Sequence, residues 1–117
     1  MDLKDLRIYN QSMELGEIVW NVTTKWDYFA KDTLGKQLVK SVDSIAANIS
    51  EGFGRYHFKD NRNFLYYARG SLYETQTWLE KALNRNLVPK SQYKELVDKL
   101  KDLGIKLNNY IKTIGKT

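Results

Sequence analysis

Cysteine is absent from this chain, proline occurs once (Pro89) and histidine once (His57). Each scarcity removes a class of protein. Without cysteine there is no disulfide framework, which fits a reducing compartment and makes the cytoplasm the expected location. One histidine and no cysteine leave no zinc-ligand spacing, so no metal site is expected. Catalysis is equally poorly served. Ser44 or Ser71 could act as a nucleophile only with a base beside it, and His57 lies in a basic connection. Glu51 with Glu74 is the one tempting pair of acids. The chain therefore reads as a non-enzyme without a cofactor. Gly52-Phe53-Gly54 lacks the further glycine and the lysine of a phosphate loop. No apolar run approaches the roughly 20 residues that cross a bilayer. The opening Met1-Asp2-Leu3-Lys4-Asp5-Leu6-Arg7 carries acids and no apolar core, unlike a signal peptide.

What is present is 117 residues, 42% hydrophobic and 28% charged, enough for a single domain (1–117) with a modest core. Net charge is +5, the balance of a solubilised surface or of a partner for nucleic acid. With one proline and few turn clusters, long helices joined by short connections are expected. The first runs from about Ile8 to Trp26 on the seam Ile8, Ser12, Leu15, Val19, Val22 and Trp26. Tyr28-Phe29-Ala30-Lys31 reads as a connection. Asp32 or Thr33 then caps a second helix ending at Gly52 and Gly54, glycine being tolerant of the left-handed conformation that stops helices. Asp60 is the expected cap of a third helix to about Arg85, and Ser91 the cap of a fourth, beyond a turn around Pro89. Gly115-Lys116-Thr117 should fray. No segment reads as a strand. An all-α, antiparallel up-down-up-down four-helix bundle follows. Gly16, Gly70 and Gly104 fall inside helices, where each costs about 1 kcal/mol relative to alanine, so close packing or a kink is expected at each.

The second helix carries two stripes. Leu38, Val42, Ile45, Ile49 and Phe53 form its apolar seam. Ser41, Ser44, Asn48, Glu51 and Arg55 recur by three and four on another face. Small hydrogen-bonding residues there suit a polar seam, in which Ser44, Asn48 and Glu51 could meet Arg69, Ser71 or Glu74 of the third helix, within one subunit or between two. A small polar pocket for a ligand is the alternative.

The run Ser44-Ile45-Ala46-Ala47-Asn48-Ile49-Ser50-Glu51-Gly52-Phe53-Gly54-Arg55, with Phe64-Leu65-Tyr66-Tyr67-Ala68-Arg69-Gly70-Ser71-Leu72-Tyr73-Glu74, resembles the two signature segments of the 23S rRNA-intervening-sequence proteins. Leu6-Arg7-Ile8-Tyr9 and Leu107-Asn108-Asn109-Tyr110-Ile111 resemble the family's ends. The resemblance implies an antiparallel four-helix bundle assembled as a homopentameric ring, basic, and associated with RNA or other nucleic acid. It also implies kinship with the accessory protein of diversity-generating retroelements, which binds a reverse transcriptase and nucleic acid.

In such a bundle the second connection shares an end with both termini. Arg55, Lys59, Arg62, Lys112 and Lys116 would gather there with Lys4 and Arg7, opposed by Asp2, Asp5 and Asp60. Tyr56, His57 and Phe58 interleave, and aromatics among cations suit stacking of unpaired bases. Alternatively Tyr56 and Phe58 cover the core and the lysines are merely solvated. Lys81, Arg85, Lys90 and Lys94 form a comparable cluster at the other end. No helix here is built to read base edges, so structure-tolerant, salt-sensitive binding is expected. The competing expectation is a structural ring whose partner is another protein.

Overall fold

Apolar residues spaced by three and four are realised as four helical rods. The computed structural model describes residues 1–116, and no strand occurs among them. A 3-10 turn, Leu3–Asp5, precedes α1, Arg7–Thr23. The second rod, α2, is built of three consecutive pieces: Tyr28–Ala30, a π-helical turn Lys31–Gly35, and Lys36–Phe53. α3 is Phe58–Asn84 and α4 is Lys90–Thr113. Each rod packs against the next, and α4 closes against α1. The pairing is antiparallel: Gly52 lies against Asn61 while Ser41 meets Thr75, and Arg62 reaches Ile114 while Arg69 reaches Asn108. The expected four-helix bundle is the observed fold.

Its core lies along the common axis. Leu38, Val42, Ile45 and Ile49 of α2, Leu65 and Ala68 of α3, and Leu103 and Leu107 of α4 are wholly buried. Full burial of such an aliphatic side chain contributes about 1.5–3 kcal/mol, so these seams hold the rods together. Phe53, Phe64, Leu83 and Tyr93 sit at the margins, only partly covered.

The ends of the rods differ from expectation, each for a local reason. α1 stops at Thr23 because Lys25 and Trp26 donate to carbonyls three residues back, and this tighter turn drives Trp26 into the core. Asp27, not Asp32 or Thr33, then caps α2: its Oδ1 accepts the Ala30 N–H at 2.9 Å. Tyr28 to Lys31 is therefore helical rather than a connection. Asp32, freed from capping, pairs with Lys36 at 2.6 Å. His57 occupies the cap position of α3, leaving Asp60 in the first turn, where its charge suits the helix dipole. Pro89 rather than Ser91 precedes α4, and Ser91 becomes its second residue.

Neither Gly52 nor Gly54 adopts a left-handed conformation, and Gly54 has φ of −79°. Gly52 is needed for room instead. A Cβ there would stand 2.9 Å from the Asn61 backbone oxygen and 3.1 Å from the Phe64 Cβ. The left-handed stop belongs to Asn86, with φ of 59°, at the end of α3. There the Leu87 N–H donates to the Ala82 carbonyl at 2.9 Å and the Asn86 N–H to Leu83 at 3.0 Å, a Schellman motif. Gly115, at φ of 81°, turns the chain after α4, and the Lys116 N–H donates to the Thr113 carbonyl. These two form a turn where fraying was expected; Thr117 lies outside the described residues.

Candidate nucleic-acid interface

The sharp link between α2 and α3 puts a cluster of cations and aromatics at the end of the bundle that holds the last turn of α4. Arg62 Nη1 donates to the Ile114 carbonyl at 3.2 Å, tying the start of α3 to the end of α4. That brings Arg55, Lys59 and Arg62 to the end that carries Lys112 and Lys116, as the bundle topology predicts.

The five cations are not equivalent. Arg55 bonds Glu51 at 2.7 Å and lies 4.7 Å above the Phe64 ring, and Arg62 is spent on the Ile114 carbonyl. Lys59, Lys112 and Lys116 are exposed and have no ion-pair partner among the described residues. Two of the five thus shape the end, and three present free ammonium groups. Of the aromatics, Tyr56 is 93% exposed and Phe58 60%, so neither serves mainly as a cover for the core. Tyr56 packs edge-on against His57 with ring centroids 5.0 Å apart. A flat, solvated face beside free ammonium groups can stack an unpaired base while a lysine meets its phosphate. At the opposite end Lys81, Arg85 and Lys90 are also exposed, and Lys94 makes only a long 3.5 Å pair with Asp98.

The polar stripe is arranged differently from the expected seam. Ser44 Oγ donates to the Lys40 carbonyl at 2.7 Å and Asn48 Nδ2 to the Ser44 carbonyl at 2.9 Å, both within α2. Glu51 pairs with Arg55. On α3, Arg69 lies 5.0 Å above the Tyr66 ring and donates to Asn108 of α4, and the Ser71 carbonyl accepts from Thr75. Glu74 is exposed. The bond that does cross from α2 to α3 is Thr75 Oγ1 to Ser41 Oγ at 3.0 Å, fully buried. Among the described residues, then, Ser41 is the only member of the stripe hydrogen-bonded to α3, and Arg55 reaches α3 through its contact with the Phe64 ring. Ser44 and Asn48 instead spend their donors on carbonyls one turn back in α2.

Sequence reasoning passed over Trp20, which is 54% exposed, and gave no surface role to Tyr28 and Phe29, each 77% exposed. The signal was available in Trp20, a large aromatic one residue off the seam that Val19 occupies.

Fold and surface together define a basic four-helix-bundle protein whose second connection gathers free lysines and open aromatic rings. Residues 4–109 match the 23S rRNA-intervening sequence protein family, and the chain belongs to that family. It is also similar to a solved protein of unknown function, of the S23 ribosomal protein family, from Bacteroides thetaiotaomicron. The two share 25% identity and a TM-score of 0.81, over 91% of this chain and 99% of the other. None of the curated proteins compared matches the chain.

Proposed function

We propose that this is a non-enzymatic, oligomeric protein that binds nucleic acid, RNA foremost, in the cytoplasm, and serves as a scaffold for an RNA-handling complex. The observation that carries the reading is the trio of unpaired lysines, Lys59, Lys112 and Lys116, beside the open rings of Tyr56 and Phe58. Family membership supports it. Arg55 and Arg62 position this surface, and the lysines supply its field. Contacts of this kind follow phosphates and stack bases without reading sequence.

Filter binding to a structured RNA at two salt concentrations tests the reading. Binding should weaken steeply with salt, and Lys59→Glu with Lys112→Glu should reduce both affinity and salt slope. No binding at low salt, or binding indifferent to salt, would overturn it.

A homopentamer is the expected assembly, repeating the weak cluster around a ring so that avidity replaces single-site affinity. One face of α3 supports self-association. Tyr66, Tyr67 and Tyr73 are exposed around Gly70, where a Cβ would meet nothing within 4 Å. An exposed mid-helix glycine without a neighbour in its own subunit suits close approach by a second one. Light scattering should give about five times the subunit mass of 13.7 kDa; a stable monomer would refute it. That same tyrosine-rich face favours the second reading, a ring whose partner is a protein. Retention of one protein by the ring from nuclease-treated extract, with no RNA binding, would select it. Kinship with the retroelement accessory proteins would make a reverse transcriptase the natural candidate.

A further inference from the structure

Between α1 and the beginning of α2 lies a groove of about 330 Å³ that the proposed nucleic-acid surface does not use. Trp20 and Val39 form apolar walls, and Gly35 and Lys31, from the π-helical turn, close one side. Lys36 and Lys40 complete the rim. Three features converge here. Trp20 is 54% exposed although its helix has an apolar seam to offer it. The π turn is a rare geometry found frequently at functional positions. Of the three lysines only Lys36 has an ion-pair partner, Asp32, leaving Lys31 and Lys40 free among the described residues. The threonines at the margin offer little else: Thr23 and Thr24 donate their hydroxyls to carbonyls of α1.

We infer that this groove binds a small amphipathic acid, an apolar body lying along Trp20 and Val39 with a carboxylate or phosphate held by Lys31 and Lys40. The chemistry follows from the lining. Apolar walls reward burial of a hydrocarbon or ring, and the free polar groups at the rim are ammonium donors, which select an anion over a neutral head group. The volume lies at the low end of the roughly 300–1,000 Å³ usual for ligand pockets, so the ligand is small. Its concave form between two helices suits one molecule and not a flat bilayer. The inference is independent of RNA binding.

Titration with octanoate, followed by calorimetry and by tryptophan fluorescence, tests it, with octan-1-ol as the neutral analogue. Octanoate should bind saturably at one site per subunit and at least tenfold more tightly than octan-1-ol. Most of the fluorescence response should be lost in Trp20→Phe while the calorimetric binding persists, because Trp20 is the tryptophan that lines the groove, whereas Trp26 is buried behind Gly35 and Trp78 lies on α3. The pair Lys31→Glu and Lys40→Glu should weaken binding at least tenfold, and Lys99→Glu, on α4, should leave it unchanged. Non-saturable binding, equal affinity for the alcohol, or an unchanged affinity in the double charge reversal would overturn the inference. So would binding to anionic phospholipid vesicles without binding to free octanoate.

Discussion

α2 shows different chemistry to its two neighbours. Toward α3 it is close-packed, with the Ser41–Thr75 bond buried and Gly52 pressed on the Asn61 backbone. Toward α1 it leaves two grooves, one beside Trp20 and another of about 390 Å³ beside Tyr9, Met13, Glu17 and Asp43. A pair of glycines makes the contrast quantitative. A Cβ on Gly52 would lie 2.9 Å from a backbone oxygen, and one on Gly16 would lie 2.8 Å from Asp43 Oδ1. The clearances are alike but the obstacles are not. A carboxylate at the end of an exposed side chain can swing away; a backbone carbonyl in the first turn of α3 cannot. Proximity alone therefore does not identify a glycine that matters.

The largest effect should come from Gly52→Ala, which overpacks the α2–α3 contact and should cost about 1–3 kcal/mol, read by urea denaturation. Near-wild-type stability would mean that the two rods can separate as freely as α1 and α2. Thr75→Val should come next, at about 1 kcal/mol, since it takes the donor from the buried Ser41 hydroxyl and leaves that oxygen with one bond fewer. Gly16→Ala should stay within about 0.5 kcal/mol, the gain in helix propensity offsetting the displacement of Asp43. A loss as large as that of Gly52→Ala would abolish the contrast.

The smallest effect is pH-dependent. Partial burial, then the neighbouring Glu17 charge, holds the Asp43 carboxyl above its usual value of 3.8. A raised folded pKa means that the protonated form is favoured, and that contribution is lost as pH rises through the folded value. Asp43→Asn should therefore raise Tm slightly at neutral pH, and the gain should vanish as pH falls below about 4. A gain that persists in acid would place its origin outside the titration of Asp43.

The apolar seams were legible in the sequence because burial repeats with the helix: Leu38, Val42, Ile45 and Ile49 could be read directly and are all fully buried. The grouping of Arg55, Lys59 and Arg62 with the end of α4 followed from the alternation of the rods. Caps were less legible. Asp27, Asp32 and Asp60 offer the same carboxylate, and only the path of the chain decided that Asp27 accepts the Ala30 N–H while Asp32 pairs with Lys36. The polar stripe was misleading for a related reason. Ser44 and Asn48 can satisfy themselves on their own helix, so side-chain chemistry alone does not say which residue crosses to α3. Ser41 does so because it stands nearest the seam. The open rings of Tyr56 and Phe58 depend on a four-residue connection whose direction no periodicity encodes.

The π turn at Lys31–Gly35 also bears on how the chain tolerates changes of length. A hydrogen bond spanning five residues encloses one more residue than the α-helical bond spanning four. The turn therefore stores a spare residue between the Asp27 cap and the seam that starts at Leu38. Deleting one residue within it should return this stretch to an ordinary α-helix with both flanks still in register. The same deletion later in α2, between Val42 and Ile49, would rotate everything downstream by about 100° and turn the seam away from the core. The turn beside the Trp20 groove is thus the one stretch of α2 where length can change without dismantling the bundle.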